Sequence, residues 1–192
     1  SWNNCAPLGR WRDIEFMPGN SNVVYAAKQS SGGSNVYRSL DGGSNWSVIN
    51  NGVASSGKYR PLIAVTPVNP NVIYALYSAS DYSFHGIYKS IDGGDNWSLQ
   101  SNSPNILGRD TDGTGTGGQS WYDLSLGVSN NDENHLFVGG INLWESTDGG
   151  ANWTIEASSG NGNYAYMHVD QHCLEFHPIT NVPYAGNDGA AD

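Results

Sequence analysis

The chain has 192 residues, of which 25 are glycine, 14% are charged and 11% are aromatic. This composition excludes a coiled coil or a helical bundle, and the aromatic content excludes a disordered acidic chain. The formal net charge of −10 repels phosphate backbones, so nucleic acid is not expected as a partner.

Predicted strands follow one another along the chain in groups of four. Short runs of β-branched and aromatic residues, separated by Gly, Asn and Pro, indicate each strand, and no window shows a convincing helical period. The runs of the first group are 13–16, 23–25, 36–38 and a fourth that opens at Trp46. Those of the second are 62–65, 72–74, 87–89 and Trp97 onward. The third has 125–128, 135–137, 143–145 and Trp153 onward, and the last has only 173–176 and 182–184.

The same motif precedes the fourth strand of each complete group. It reads Ser-x-Asp-Gly-Gly-x-Asn-Trp and occurs at 39–46, 90–97 and 146–153, so its tryptophans are 51 and 56 residues apart. A four-stranded unit that repeats about every 50 residues is the blade of a β-propeller. Parallel β-helix rungs, the structural alternative, are much shorter.

We therefore predict an all-β fold made of four-stranded antiparallel propeller blades. The blades are expected at about residues 11–50, 60–100 and 121–157, with an incomplete blade at 171–192. Ser1-Trp2-Asn3 resembles the last strand of a preceding blade. Because propellers close with about 4–8 blades, these units cannot close a ring unaided. We expect the sequence to be a piece of a larger propeller.

The repeated motif has a structural explanation. Its Asp can accept backbone N–H hydrogen bonds, its Gly permits a positive φ, and its Trp covers the turn with an apolar face. The motif resembles the Asp-box, or BNR repeat, of sialidases, sortilin-type receptors, a photosystem II assembly factor and xyloglucan-cleaving hydrolases. That resemblance implies a hairpin turn on the blade periphery, away from any active site. The residues with this structural role are Ser39, Asp41, Gly43, Trp46, Ser90, Asp92, Gly94, Trp97, Ser146, Asp148, Gly150 and Trp153.

A polar segment leads into the first strand of the last group. In an extended conformation His168, Asp170 and His172 share one face. Two imidazoles and a carboxylate could bind zinc or another transition metal, and Asp170 could also orient a histidine as a general base. The alternative is a hydrogen-bonded polar cluster that fills the mouth of the propeller channel.

The long glycine-rich loop 108–123 is the second segment with residues that could bind a ligand. Asp110 and Asp112 resemble the opening of a calcium loop, although the following ligand positions depart from the EF-hand pattern. Trp121 and Tyr122, followed by Asp123, could stack on a sugar ring at the channel mouth. The alternative places both aromatic rings in the core between blades.

Four stretches extend the resemblance to a subgroup. The stretches are 119–128, 138–144, 168–172 and 186–189. They are similar to Asp-box propellers in large secreted or surface-attached bacterial proteins, which implies an extracellular or cell-surface location.

The hydrolase relatives imply a possible catalytic aspartate. They carry it after a second strand, in a setting that the sequence around Asp188 matches loosely. Glycoside hydrolysis needs two carboxyl groups about 5–9.5 Å apart, so Asp170 or Glu175 is the second candidate. The few arginines match no sialidase motif.

The sequence thus favours a non-catalytic Asp-box propeller module that binds a glycan or a protein, or builds a larger assembly with the remainder of its propeller. The alternative is a glycoside hydrolase that uses Asp188 and Asp170. No cofactor is required, although calcium or a transition metal is possible at the segments above. No apolar run approaches the ~20 residues of a membrane span, so membrane insertion is not expected. A disulfide between Cys5 and Cys173 is left open.

Overall fold

The computed structural model describes residues 6, 8–31, 33–160 and 162–189. The terminal segment Ser1-Trp2-Asn3 and Cys5 lie outside these residues, so the question of a disulfide between Cys5 and Cys173 does too. The strands are β1 (Arg10–Phe16), β2 (Val24–Gln29), β3 (Asn35–Ser39), β4 (Ser47–Val48), β5 (Lys58–Val65), β6 (Ile73–Ala79), β7 (Phe84–Ser90), β8 (Ser98–Ser101), β9 (Ser125–Val128), β10 (Leu136–Gly139), β11 (Leu143–Ser146), β12 (Thr154–Ser158), β13 (Ala165–Tyr166), β14 (Gln171–Phe176) and β15 (Pro183–Asn187).

Each group of four strands forms one antiparallel sheet in chain order. The sheets are β1–β4, β5–β8 and β9–β12, and the last strands, β14 and β15, pair with each other. The short strand β13 adds to β12 in parallel. In the part of the chain that the structure describes there is no helix long and apolar enough to cross a membrane. The prediction of an all-β fold with four-stranded antiparallel sheets is confirmed.

Apolar side chains fill the spaces between successive sheets. One core cluster joins the first two sheets and contains Tyr25, Ile63 and Tyr77. A second cluster joins the middle two sheets, and a third, around Phe137 and Phe176, joins β10 to the β14–β15 pair. Because β5 and β6 are covered on both faces, their apolar runs are nearly continuous rather than alternating.

The first strand of each sheet lines a common cavity of about 270 Å³. Strands β1, β5, β9 and β14 all contribute residues to its wall. This is the arrangement of inner strands around the channel of a propeller. Residues immediately before these strands therefore lie at one mouth of the channel.

The three repeated turns, 39–46, 90–97 and 146–153, share one set of hydrogen bonds. In the first, Ser39 Oγ donates to Asp41 Oδ1 and accepts from the Gly43 amide, both at 2.8 Å. The Asp41 carboxylate accepts from the backbone amide and the side-chain amide of Asn45. Gly43 has a φ of 93°, which a residue with a Cβ rarely adopts. The equivalent residues of the other two turns make the same bonds.

These turns predict sensitivity to acid. The hydrogen bonds from Asn45 lower the pKa of Asp41 to about 2, and the equivalent bonds lower the pKa of Asp92 to about 2. A carboxyl group whose pKa is lower in the folded state than in the unfolded chain stabilises the fold at pH values above the unfolded pKa of 3.8. That contribution is lost as the pH falls towards 2.

We expect Asp41→Asn to lower the urea midpoint at pH 6 and to have a much smaller effect at pH 2.5. Urea denaturation at the two pH values measures the difference. Asp132→Asn, at an exposed loop, is the control. An Asp41→Asn deficit that is equal at both pH values would contradict the assignment.

Candidate functional site

The predicted binding residues lie at the channel mouth where β9 and β14 begin. The segment 119–123 precedes β9 and is closed by hydrogen bonds from the Tyr122 and Asp123 amides to the Gln119 carbonyl oxygen. The segment 167–170 precedes β14, and Asp188 follows β15. Residues that are more than 50 positions apart in the sequence therefore meet at one place.

An exposed aromatic pair forms the outer part of this site. Trp121 is 57% exposed and Tyr122 is 44% exposed, and their ring centroids lie 5.5 Å apart at an interplanar angle of 45°. The Tyr122 ring also contacts His172 edge to face, with 4.9 Å between centroids. These two side chains lie at the surface and not in the core between blades.

A hydrogen-bonded triplet holds Tyr122 in place. Tyr122 Oη donates to Asp188 Oδ2 at 2.8 Å, and His172 Nε2 donates to Asp188 Oδ1 at 2.9 Å. The bond from Tyr122, followed by the bond and charge of His172, lowers the pKa of Asp188. The same bond raises the pKa of Tyr122. Asp188 is therefore an ionised acceptor at neutral pH.

A pair of carboxyl groups lies behind the aromatic pair. Gln119 Nε2 donates to Asp123 Oδ2 at 2.9 Å and also to Asp170 Oδ1. Asp123 is fully buried, and its other oxygen, Oδ1, accepts no hydrogen bond from the described residues. Burial raises the pKa of Asp123 to about 6, and the nearby charge of Asp170 adds to the shift.

Arg60 holds the segment 119–123 in place through hydrogen bonds, and the sequence did not identify it as a site residue. Its Nη1 donates to the carbonyl oxygens of Ser120 at 2.8 Å and Tyr122 at 3.2 Å. Burial lowers the pKa of Arg60, and the charge of Asp123 opposes that shift. A signal was present in the sequence, because Arg60 and Asp123 occupy the same position, two residues before the apolar run, in neighbouring repeats. Opposite charges at equivalent positions of adjacent blades meet at the channel mouth.

The three residues predicted to bind a transition metal do not share one face. The extended backbone that this prediction assumed is absent at Asp170, whose φ is 70°, and β14 begins only at Gln171. His168 Nδ1 bonds to the Val169 carbonyl oxygen, whereas His172 bonds to Asp188. No group of three or more His, Cys, Asp and Glu side chains within the described ranges is arranged to hold a metal ion.

The candidate calcium loop is held by protein groups. Asn105 Nδ2 donates to the carbonyl oxygens of Gly115 and Gly117, and Asp112 Oδ1 accepts from the amide and hydroxyl of Thr114. Ile106, at the start of the loop, is buried in the core. Asp110 and Asp112 are exposed. These contacts order the loop against the second and third sheets.

The channel cavity contains a separate set of charges. Arg12, Asp13, Glu15 and Arg60 line it together with Glu175, the other candidate for a second catalytic carboxyl group. Burial, together with the charges of Asp13 and Glu175, raises the pKa of Glu15 to about 7. Asp13 Oδ2 accepts from the Ile63 amide, which links β1 to β5.

Glu15 predicts that the protein loses stability as the pH rises from about 4.5 to about 7. Between the unfolded value of 4.5 and the folded value of about 7, the folded state keeps a proton that the unfolded chain has released. Stability therefore falls across this interval, and the loss is complete above it.

We expect Glu15→Gln to increase the free energy of unfolding by about 1–2 kcal/mol at pH 8 and to change it little at pH 4. Urea denaturation at both pH values measures this, with the exposed Glu156→Gln as the control. A gain at pH 4 as large as that at pH 8 would contradict the explanation.

Comparisons with known proteins find structural similarity. No protein-family model matches the chain, and no curated protein matches it in sequence. A crystal structure of an ancestral GH74 enzyme superposes with a TM-score of 0.63 at 19% identity, over 98% of this chain and 23% of the enzyme. The GH74 xyloglucanase from Xanthomonas campestris gives 0.54 at 14% identity, over 95% of this chain and 25% of that one. YCF48 bound to D1 peptide gives 0.58 at 14% identity, over 94% of this chain and 48% of YCF48.

These likenesses establish the fold. Together with the four-stranded sheets and the shared channel, they confirm that the chain has a β-propeller fold. The chain spans about a quarter of the GH74 chains and about half of YCF48. At identities below 20%, they assign neither an activity nor a partner.

Proposed function

We propose that this chain is a non-catalytic propeller module of a secreted or cell-surface bacterial protein and that it binds a glycan at the channel mouth. The observation that carries the proposal is the exposed aromatic pair, Trp121 and Tyr122, fixed by Asp188 and Arg60. Contiguous exposed apolar surface often marks a ligand-binding site. A sugar ring stacks on such a surface while its hydroxyl groups bond to neighbouring carboxylates.

Two further observations support the proposal. The hydrogen bonds of the repeated turns agree with an Asp-box identity, in which the motif builds the blade and leaves recognition to the loops. Structurally similar propellers include a xyloglucanase, named for a polysaccharide, and a protein captured with a peptide. A protein partner at the same loops is the competing form of the proposal.

Replacing Trp121 with alanine tests the aromatic pair. We expect affinity for the bound glycan to fall by about 10-fold or more, since a stacked aromatic side chain is often a dominant binding residue. Isothermal titration calorimetry with oligosaccharides found by glycan-array screening measures the change. Phe16→Ala removes an aromatic side chain that is 57% exposed at the last position of β1 and serves as the control. Equal affinities of the two variants would contradict a binding role for Trp121.

The second candidate is a glycoside hydrolase related to the xyloglucan-cleaving propellers. The observation that favours it is the opposite pKa shift of Asp123, in the segment 119–123, and Asp188, which accepts a hydrogen bond from Tyr122 of that segment. Burial and the nearby charge of Asp170 raise the pKa of Asp123 to about 6, whereas the pKa of Asp188 is lowered. A proton donor and an ionised carboxylate are the two groups that glycoside hydrolysis requires.

An activity assay separates the two functions. Turnover of xyloglucan oligomers by the protein, lost in Asp188→Ala and in Asp170→Asn, would establish the hydrolase. Binding without turnover, or turnover that Asp188→Ala leaves unchanged, would contradict a catalytic role for these residues.

A further inference from the structure

We infer that the glycan bound at the aromatic pair carries protonated amino groups. The inference rests on the proposed function, because it names the chemical class of ligand for the same site. It follows from the charges and hydrogen-bond acceptors around Tyr122, which favour a cationic sugar over a neutral one and disfavour a sugar acid.

The ionised acceptor nearest to the aromatic pair is accessible. The Asp188 side chain is 40% exposed and is anchored on one oxygen by Tyr122 and on the other by His172. Each carboxylate oxygen has two lone-pair sites, so both retain capacity for another donor. A ligand that lies over Tyr122 would therefore meet a fixed negative charge.

The groups behind Tyr122 include two carboxyl groups, Asp123 and Asp170. Gln119 supplies one amide nitrogen to both Asp123 and Asp170. Asp123 Oδ1 accepts no hydrogen bond from the described residues, although the side chain is fully buried. An ammonium group brings three donors and a positive charge, whereas a sugar carboxylate brings only acceptors and a negative charge.

The positive groups nearby donate hydrogen bonds to other parts of the protein, although the buried Nε of Arg60 has no acceptor among the described residues. Arg60 donates to the backbone carbonyl oxygens of Ser120 and Tyr122, and His172 donates to Asp188. His168 acts on Asp188 through its charge, while its Nδ1 bonds to the Val169 carbonyl oxygen. The whole chain has a net charge of −10, which also attracts cationic ligands.

The aromatic pair adds attraction for a cation. An ammonium group over the face of an exposed tryptophan or tyrosine is favoured by the negative face of the ring. Trp121 has more than half of its surface available for this contact. Stacking and charge would therefore act together on an amino sugar.

The test compares an amine-bearing glycan with its N-acetylated form and with an acidic glycan. Titration calorimetry at pH 6 and low salt would use a glucosamine hexamer, the same hexamer fully N-acetylated, and a galacturonic acid hexamer. We expect the amine form to bind about 5- to 10-fold more tightly than the acetylated form, with the acidic oligomer weakest. The preference should shrink in 0.5 M NaCl because the charges are exposed.

Two variants link the preference to the named carboxylates. Asp188→Asn and, separately, Asp170→Asn should reduce the preference for the amine form to about 2-fold or less while the acetylated form still binds. Glu156→Gln removes one negative charge from an exposed position on β12 and should leave the preference unchanged. Near-ultraviolet circular dichroism verifies that each variant is folded.

The outcomes separate this inference from the proposed function. If the acetylated hexamer binds as tightly as the amine form, and Trp121→Ala weakens both, the glycan site stands and the amine preference is wrong. If no glycan binds, the proposed function fails as well. A lysine-containing peptide that binds while no hexamer does would overturn the assignment of the ligand as a glycan.

Discussion

Replacing Trp97 with alanine is expected to lower the free energy of unfolding by about 3–5 kcal/mol. Trp97 closes the second repeated turn and is only 6% exposed. Its Nε1 donates to the Ile49 carbonyl oxygen at 2.6 Å and to Gly94 at 3.0 Å. Removing the indole would leave a cavity between the first two sheets and two carbonyl oxygens without a donor.

The matched control is the tryptophan at the same position of the first turn. Trp46 is more exposed, and among the described residues its Nε1 donates to the Gly43 carbonyl oxygen of its own turn, with Trp11 as a neighbouring ring. Trp46→Ala should therefore cost less than half as much. Urea denaturation followed by far-ultraviolet circular dichroism compares the two. Equal losses would show that the turn alone, and not the contact between sheets, accounts for the role of Trp97.

Replacing Arg60 with methionine is expected to destabilise the protein by about 2–3 kcal/mol and to lower glycan affinity by at least 10-fold. The methionine keeps the apolar stem but removes both hydrogen bonds to the Ser120 and Tyr122 carbonyl oxygens. It also removes a positive charge beside the buried Asp123. The segment 119–123, which carries the aromatic pair, would no longer be held by these two hydrogen bonds.

Two comparisons make this prediction specific. Arg10→Met, at an exposed position of β1, should change neither stability nor affinity appreciably. Stability comes from urea denaturation and affinity from titration calorimetry. A folded Arg60→Met variant with unchanged affinity would show that the aromatic pair does not depend on the arginine.

The fold could be predicted because its signals are local. Alternating apolar residues and the Ser-Asp-Gly-Gly-Asn-Trp spacing lie within single repeats. The short strand β13 gave no such signal, since its parallel pairing to β12 depends on the path of the preceding loop.

The site was only partly predictable because its bonds cross between repeats. Trp121, Tyr122, Asp170, His172 and Asp188 could each be named from the sequence. Which of them contact each other could not be predicted. Tyr122 and Asp188 are 66 positions apart, and their contact depends on how the sheets pack. The left-handed backbone of Asp170 has no local signal either, and it changes which side chains share a face.

The contact of Trp97 with the first sheet affects how the protein unfolds. Its backbone amide also donates to the Asn51 carbonyl oxygen, so the end of one sheet and the turn of the next form a single bonded unit. Trp153 repeats the contact by donating to Ser101 of the second sheet. Coupling of this kind between nearest neighbours makes a repeat array unfold in cooperative blocks rather than one unit at a time. The slowest amide hydrogen exchange should therefore occur in β5–β7, in the sheet that takes part in these tryptophan contacts on both sides.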